Sequence, residues 1–519
     1  MNNRHGIVAA GHPVTAGAAA EVLKAGGNAF DAALAAIFAS CVAEPVLASL
    51  GGGGFLMAHQ YSGQTQLYDF FVQTPKRKPL LEGIDFYPIL ADFGTAQQEF
   101  HIGLGSIATP GVIRGLFAVH RDLCRMPLRA IIEPACEAAR NGVELNSFQH
   151  YISDIISPII TANASSLALH ESPSQPGSIA MEGERLTQPD MADAFESLAR
   201  EGEALFYLGE MGRPLLHACD GSGGCLGPED LEAYQVIRRP PLTLNYHTAE
   251  LATNPAPSVG GTLIAFALAL LEQERLGQWP ANSYEHLLRI TKAQALTQLL
   301  RGERGVDRDL DEHTSREILG REYLRDYRRI MRDHSAFSRG TTHISIADSA
   351  GNVASMTLSN GEGSGYVLPG TGIMLNNMLG EEDINPHGFH QWPEDRRIAS
   401  MMAPTMIFTP DGGTLVTGSG GSNRIRSAVL QVLVNLVDFG MDIADAVEQP
   451  RIHFEGGVLN MENGPTPEVC QQLQQTFPQQ RIWPEKNLFF GGAHSVMIDA
   501  DGALSGNGDS RRGGVCIAS

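Results

Sequence analysis

The chain is short of positive charge. Its 37 lysines and arginines face 58 aspartates and glutamates, a formal net charge of −21 over 519 residues. So acidic a surface repels phosphate backbones, which sets nucleic acid aside as a partner. Paired cysteines are lacking too. The seven present (Cys41, Cys124, Cys136, Cys219, Cys225, Cys470, Cys516) are scattered, odd in number and without C-x-x-C spacing, which argues against a disulfide framework or a structural zinc site. No apolar run approaches the ~20 residues that a bilayer-spanning helix needs. The opening Met-Asn-Asn-Arg-His-Gly leads into no secretory apolar segment, so the expected compartment is the cytoplasm, or the periplasm if the true start lies upstream.

What the sequence has in excess is glycine, 57 residues gathered in short runs that mark tight turns or close backbone approach. Residues 15–43 read as helix, capped by Thr15 and interrupted at Gly26-Gly27-Asn28. Gly51-Gly52-Gly53-Gly54 leads into a strand, Phe55-Leu56-Met57-Ala58. Two helical stretches follow the turn at Pro110-Gly111, and Pro228 opens a helix over 228–234. A loop at 255–261 precedes an Ala/Leu-rich helix over 262–272, and the charged stretch 300–333 reads as solvated helix. From Thr341 onward short alternating strands dominate, with turns at 348–352, 410–413 and 499–502. One helix, about 424–438, carries Ile425, Val429, Leu430, Leu433 and Leu436 on one face. No Pro/Ser-rich linker divides the helical first part from the strand-rich last part, so one intertwined domain is expected.

Two segments carry chemistry. From Gly340 to Ser359 two alternating stretches flank a turn centred near Ala350, the pattern of a β-hairpin. Paired residues then sum to about 700, which sets Thr341 opposite Ser359 and brings two hydroxyls together at the open end. An ordinary surface hairpin has the same pattern, since Thr and Ser suit strands. The second segment, Gly418-Ser419-Gly420-Gly421-Ser422-Asn423-Arg424, is a glycine turn running into a helix. Its successive N–H groups suit an anion or a developing oxyanion, and no Gly-Lys-Ser/Thr follows to make it a phosphate loop. His387 and His390 sit beside Asn385-Pro386 in what reads as a polar loop, not a metal site. His343 and His494 read as structural hydrogen-bonding residues.

Taken in order, these segments resemble the γ-glutamyltranspeptidase family. Gly340-Thr341-Thr342-His343 with Asp348, Gly351 and Asn352 resembles its processing site. Further matches are Gly26-Gly27-Asn28-Ala29-Phe30-Asp31-Ala32-Ala33, Glu44-Pro45, Gly51-Gly52-Gly53-Gly54-Phe55, Pro110-Gly111 and Asp230-Leu231 with Tyr234. Pro255, Pro257-Ser258 and Gly260-Gly261, then Leu375-Asn376-Asn377, Ala403-Pro404-Thr405, the turn at 418–424 and Gly491-Gly492 with His494 continue the series. The resemblance implies an α+β fold, the four-layered αββα sandwich of N-terminal-nucleophile hydrolases. It implies a mainly helical large subunit, residues 1–340, and a strand-rich small subunit, residues 341–519, made by self-cleavage between Gly340 and Thr341 and woven into one domain.

By the same resemblance Thr341 is the nucleophile, Ser359 supports it, and Gly420 and Gly421 form the oxyanion pair. Ser400, Asn360 and Glu381 hold the substrate. The implied substrate is a small amide, a γ-glutamyl compound, with water or an amino acid or peptide as acceptor, and no cofactor or metal is required. The oxyanion turn departs from the family in lacking the usual preceding proline and in carrying Asn423 after Ser422. The family's carboxylate-gripping arginine is replaced by Phe71, a second serine by Met401, and a glutamine by Met378. Those changes leave an alternative open: an amidase for a less polar acyl group, like the cephalosporin acylases. A non-catalytic scaffold of the same fold is the third reading.

Overall fold

The computed structural model describes residues 5–78, 81–92, 97–330, 342–385 and 387–519. Thirteen strands form its two main sheets: β1 (Gly6–Ala10), β2 (Gly53–His59), β3 (Thr65–Phe70), β4 (Ile237–Arg239), β5 (Leu242–Tyr246), β6 (Ala249–Thr253), β7 (Thr342–Asp348), β8 (Val353–Ser359), β9 (Thr405–Phe408), β10 (Thr414–Thr417), β11 (Ser495–Ile498), β12 (Leu504–Asn507) and β13 (Val515–Ala518). The first sheet runs β13-β1-β7-β8-β2-β3-β4 and the second β12-β11-β10-β9-β6-β5. The neighbours whose register is described pair antiparallel.

Period-two alternation decides what each face of the first sheet meets. Val8, Ala10, Leu56, Ala58, Ile344, Ile346 and Met356 join an apolar cluster with helices α1 (Pro13–Lys24), α2 (Ala29–Ala43), α3 (Val112–Leu123) and α4 (Leu128–Asn141). Ile7, Ala9, Phe55 and Met57 face the other way, into a cluster shared with the second sheet. That second cluster continues into α5 (Val259–Leu271), α6 (Tyr284–Arg304) and α7 (Arg424–Val437). Helix, sheet, sheet, helix: the fold is the αββα sandwich. Strands from both ends of the chain interleave, since β1 lies between β13 and β7.

Several local expectations need correction. Thr15 does not cap α1; His12 does, its Nδ1 accepting the Val14 N–H, while the Thr15 hydroxyl donates to Glu44 at 2.6 Å. The break at Gly26-Gly27-Asn28 is a true boundary, where Asn28 and Asp31 form the reciprocal capping box of α2. Helix α5 starts at Val259, three residues earlier than expected. Helix α7 is not apolar on one face only: every residue from Arg424 to Asn435 is buried, because it contacts α5 and also a small third sheet, Ile452–Glu455, Val458–Glu462 and Gln479–Trp483. The stretch from 300 is helical but only partly solvated, with Val306, Leu310, Ile318, Leu324 and Tyr327 in the core.

Candidate active site

The hairpin β7–β8 has the register that the sequence set. Thr342 pairs with Leu358 and Ala347 with Val353, each pair summing to 700, the sum that matches 341 with 359. Gly340 and Thr341 themselves lie outside the described residues. At the far end Asp348 fixes the turn, accepting N–H bonds from Ala350 and Asn352, both at 2.9 Å, while its other oxygen takes the α2 N-terminal Ala29 N–H at 3.0 Å. The open end is therefore referenced to a rigid helix.

The glycine run explains how Ser359 is held. A methyl on Gly52 would stand 2.4 Å from the Ser359 carbonyl, on Gly53 2.6 Å from the Val72 nitrogen, and on Gly54 2.6 Å from the Thr357 carbonyl. Only glycine lets the backbones close up at this corner. Ser359 Oγ accepts the Gly361 N–H at 3.0 Å. Gly361 in turn lies against Glu381, whose Oε1 would be 2.1 Å from a methyl there, and Asn377 Oδ1 accepts the Glu362 N–H at 2.9 Å. Ser359, Asn360 and Glu381 are thus brought together. Asn360 Oδ1 is buried and accepts no bond from any described residue. Asn376 secures the loop from behind, donating to Gly51 O and Ala108 O at 2.8 and 3.0 Å.

Beneath the hairpin lies a layer of polar side chains between the sheets. His343 Nδ1 is 2.9 Å from Thr357 Oγ1 and its Nε2 2.9 Å from Ser345 Oγ, which donates to His494 O at 2.9 Å. The Ser345 proton goes to that carbonyl, so the chain assigns the imidazole proton to Nε2 and has the Thr357 hydroxyl donate to Nδ1. Burial drives the His343 pKa well below its usual value, with neighbouring His494 adding to the effect. His343 is a neutral spacer here.

The turn at 418–424 closes the other side. Gly420 and Gly492 exchange backbone hydrogen bonds, with Gly420 N–H to Gly492 O at 3.3 Å and the reverse at 3.2 Å. Gly421 has φ +124° and Ser422 φ +48°. Its N–H donates to no acceptor among the described residues, and it stands just ahead of the N-terminus of α7. Ser400 is buried; its Oγ accepts the Met402 N–H at 3.0 Å and its carbonyl takes N–H bonds from Val259 and Gly260, at 2.8 and 3.2 Å. A cavity of about 290 Å³ is lined by Ile398 and Ala399, just before Ser400, with Thr74, Pro257, Ile384 and Trp392.

The replaced clamp is apolar in fact as well as in sequence. Phe71, Met378 and Met401 are buried in one apolar cluster with Phe55, Val72 and Trp392, and Phe71 stacks on Phe55 at 5.4 Å. Four cations here have partners of their own, while Arg308 and Arg396 also line the cavity. Arg397 donates to Phe71 O, to Tyr234 Oη at 2.6 Å and to Gln235 O at 2.6 Å, and pairs with Asp69 at 3.3 Å. Lys76 pairs with Asp395, Arg77 with Glu229, and Lys78 donates to His390 O and Trp392 O.

Sequence reasoning missed two residues packed against this site. Glu44 is buried next to Thr15 and Thr342; burial pushes its pKa up to about 7, while those two hydroxyls and Arg512 pull the other way. Arg512 is buried beside Gly421 and Gly492. Glu44-Pro45 was visible as a motif without a role, and Arg512 carried no local signal.

A γ-glutamyltranspeptidase family model matches residues 15–519. The chain belongs to that family. Among its relatives, a glutathione hydrolase proenzyme of Bacillus subtilis (strain 168) is 28% identical over 99% of this chain and 91% of its own length. An acylase ACY 1 proenzyme of Pseudomonas sp. (strain V22) is 29% identical over 99% of this chain and 93% of its own. The solved cephalosporin acylase from Bacillus halodurans superposes with a TM-score of 0.82, covering 99% of this chain and 96% of that one at 22% identity. At that identity the likeness speaks for the sandwich alone. Within a γ-glutamyltranspeptidase-family chain, the residues at the hairpin end and the glycine turn are the ones to examine for chemistry.

Proposed function

We propose that this chain is a self-cleaving amidohydrolase whose nucleophile is Thr341. The observation that carries the reading is the 700-sum register of β7 and β8, which leads the strand start toward Ser359. In the precursor the Thr341 hydroxyl attacks the Gly340 carbonyl, the peptide nitrogen leaves as an amine, and water hydrolyses the resulting ester. Cleavage yields subunits 1–340 and 341–519. The freed α-amino group, with a reference pKa of about 7.7–8.0, is partly neutral near pH 7 and serves as the base for its own hydroxyl.

In turnover the Thr341 oxygen adds to the substrate amide carbon and the amine departs with a proton. The acyl ester left on Thr341 passes to water or to an amino acid or peptide acceptor. The Gly421 N–H faces the oxyanion. Gly420, expected as its partner, instead spends its N–H on Gly492 O and holds the turn in place. Ser359 hydrogen-bonds the nucleophile. Ser400, Asn360 and Glu381 orient the acyl part. Family membership and a glutathione hydrolase relative support a γ-glutamyl amide as substrate. An initial burst of p-nitroaniline from γ-glutamyl-p-nitroanilide, equal to the cleaved chains present, tests the acyl-enzyme.

A second reading has its own observation. Phe71, Met378 and Met401 are buried in one apolar cluster at the positions where the resemblance puts partners for the charged end of a glutamyl group, and an acylase is among the relatives. An acyl group less polar at that end suits this wall better, because a carboxylate buried without a donor costs several kcal/mol.

A further inference from the structure

The Arg512 side chain lies along the glycine turn. A methyl on Gly492 would stand 2.5 Å from Arg512 Cδ and 2.8 Å from Cγ, and one on Gly421 would stand 3.4 Å from Nη2. The stem therefore packs on the backbone partner of Gly420 while the guanidinium lies against the α-carbon of Gly421. The residue is buried, so its charge is poorly screened.

Three carboxylates act on that charge, Glu362, Asp509 and Glu44, and one like charge, Arg451. Asp509 is already held by Arg451 at 2.6 Å and Arg511 at 3.1 Å. The balance left to Arg512 is therefore Glu44 and Glu362. Glu44 adjoins the Thr342 hydroxyl at the start of β7. Glu362 is tied through its N–H to Asn377 on the Asn360–Glu381 side. One cation thus sits among the glycine turn, the strand start and the substrate-holding loop.

We propose that Arg512 is a positioning residue for the reaction, its guanidinium supplying a positive field beneath the Gly421 amide where negative charge develops, with Glu44 and Glu362 as its counter-charges. A fixed charge beside a forming oxyanion favours the transition state over the bound neutral amide, so its contribution falls on kcat and not on KM. Burial, the largest influence, works against the Arg512 charge, but a guanidinium keeps its proton inside a protein where an ammonium loses it. The inference rests on the proposed function; cleavage and turnover by the unaltered chain are the control for that reading.

The test compares Arg512→Lys and Arg512→Met on γ-glutamyl-p-nitroanilide and butyryl-p-nitroanilide, as kcat and KM per cleaved chain from pH 6 to 10. Arg512→Met is expected to lose about tenfold or more in kcat with KM changed by less than about twofold. Arg512→Lys is expected to keep most activity near neutrality and to lose it on the alkaline side, as a buried ammonium gives up its proton where a guanidinium does not. A Met variant within about twofold of the unaltered kcat, or a loss confined to KM, overturns the proposal. So does a Lys profile that superimposes on the unaltered one. If the Met variant fails to fold, the Lys profile decides alone.

Discussion

The Thr357 hydroxyl donates to Nδ1 of His343 across the β7–β8 ladder at 2.9 Å, two residues before Ser359 on the same face of the strand. Because this imidazole is buried and neutral, acid has to work against it. Five other histidines, His12, His170, His286, His453 and His494, are also depressed by burial, to about 4. A depressed histidine contributes stability that is fully present above its unfolded pKa of about 6.5 and is lost as pH falls toward the folded value. Thermal melting followed from pH 7.5 to 4.5 should show Tm falling below about pH 6.5.

Glu44 has the opposite sign. Its folded pKa is raised to about 7, so its contribution is full below the unfolded value near 4.5 and is lost as pH rises through 7. It therefore opposes the histidines in that window. Glu44→Gln should steepen the acid loss of Tm, and a slope unchanged or shallower contradicts this placement.

Ser359→Ala removes one hydroxyl and little volume. Stability is expected to change by about 1 kcal/mol or less, while self-cleavage or turnover drops at least about tenfold. Both rates unaltered would separate Ser359 from the nucleophile.

The clamp substitutions predict selectivity. γ-Glutamyl-p-nitroanilide should show a high KM and weak turnover, glutathione likewise, and an uncharged acyl p-nitroanilide should do better. Steady-state kinetics on the pair decides it; a sub-millimolar KM (on the order of the usual enzyme range) with fast glutamyl turnover contradicts the apolar-wall argument.

What the sequence made legible is what short-range chemistry determines. The hairpin register follows from alternation about Ala350, and the 51–54 glycines announced a close approach that turned out to be to Ser359, Val72 and Thr357 backbone. Residues whose partners are distant stayed hidden. Thr15 looks like a cap until Glu44, 29 residues on, takes its hydroxyl. Helix α7 looks amphipathic because nothing local records the third sheet beside its polar face, where Arg426 meets Glu455 and Ser427 meets His453. Arg512 is read only once Gly421 and Gly492, far apart in the chain, are side by side. Phe71, Met378 and Met401 stand out only by comparison with a family pattern, since a buried apolar residue is unremarkable alone.

The central claim is that Thr341 becomes a chain terminus. Denaturing electrophoresis with N-terminal sequencing of the purified protein tests it most directly. The unaltered chain is expected to give two fragments, the smaller beginning Thr-Thr-His-Ile, while Thr341→Ala remains one chain. A full-length unaltered protein after prolonged incubation, or a smaller fragment with any other first residue, contradicts the account.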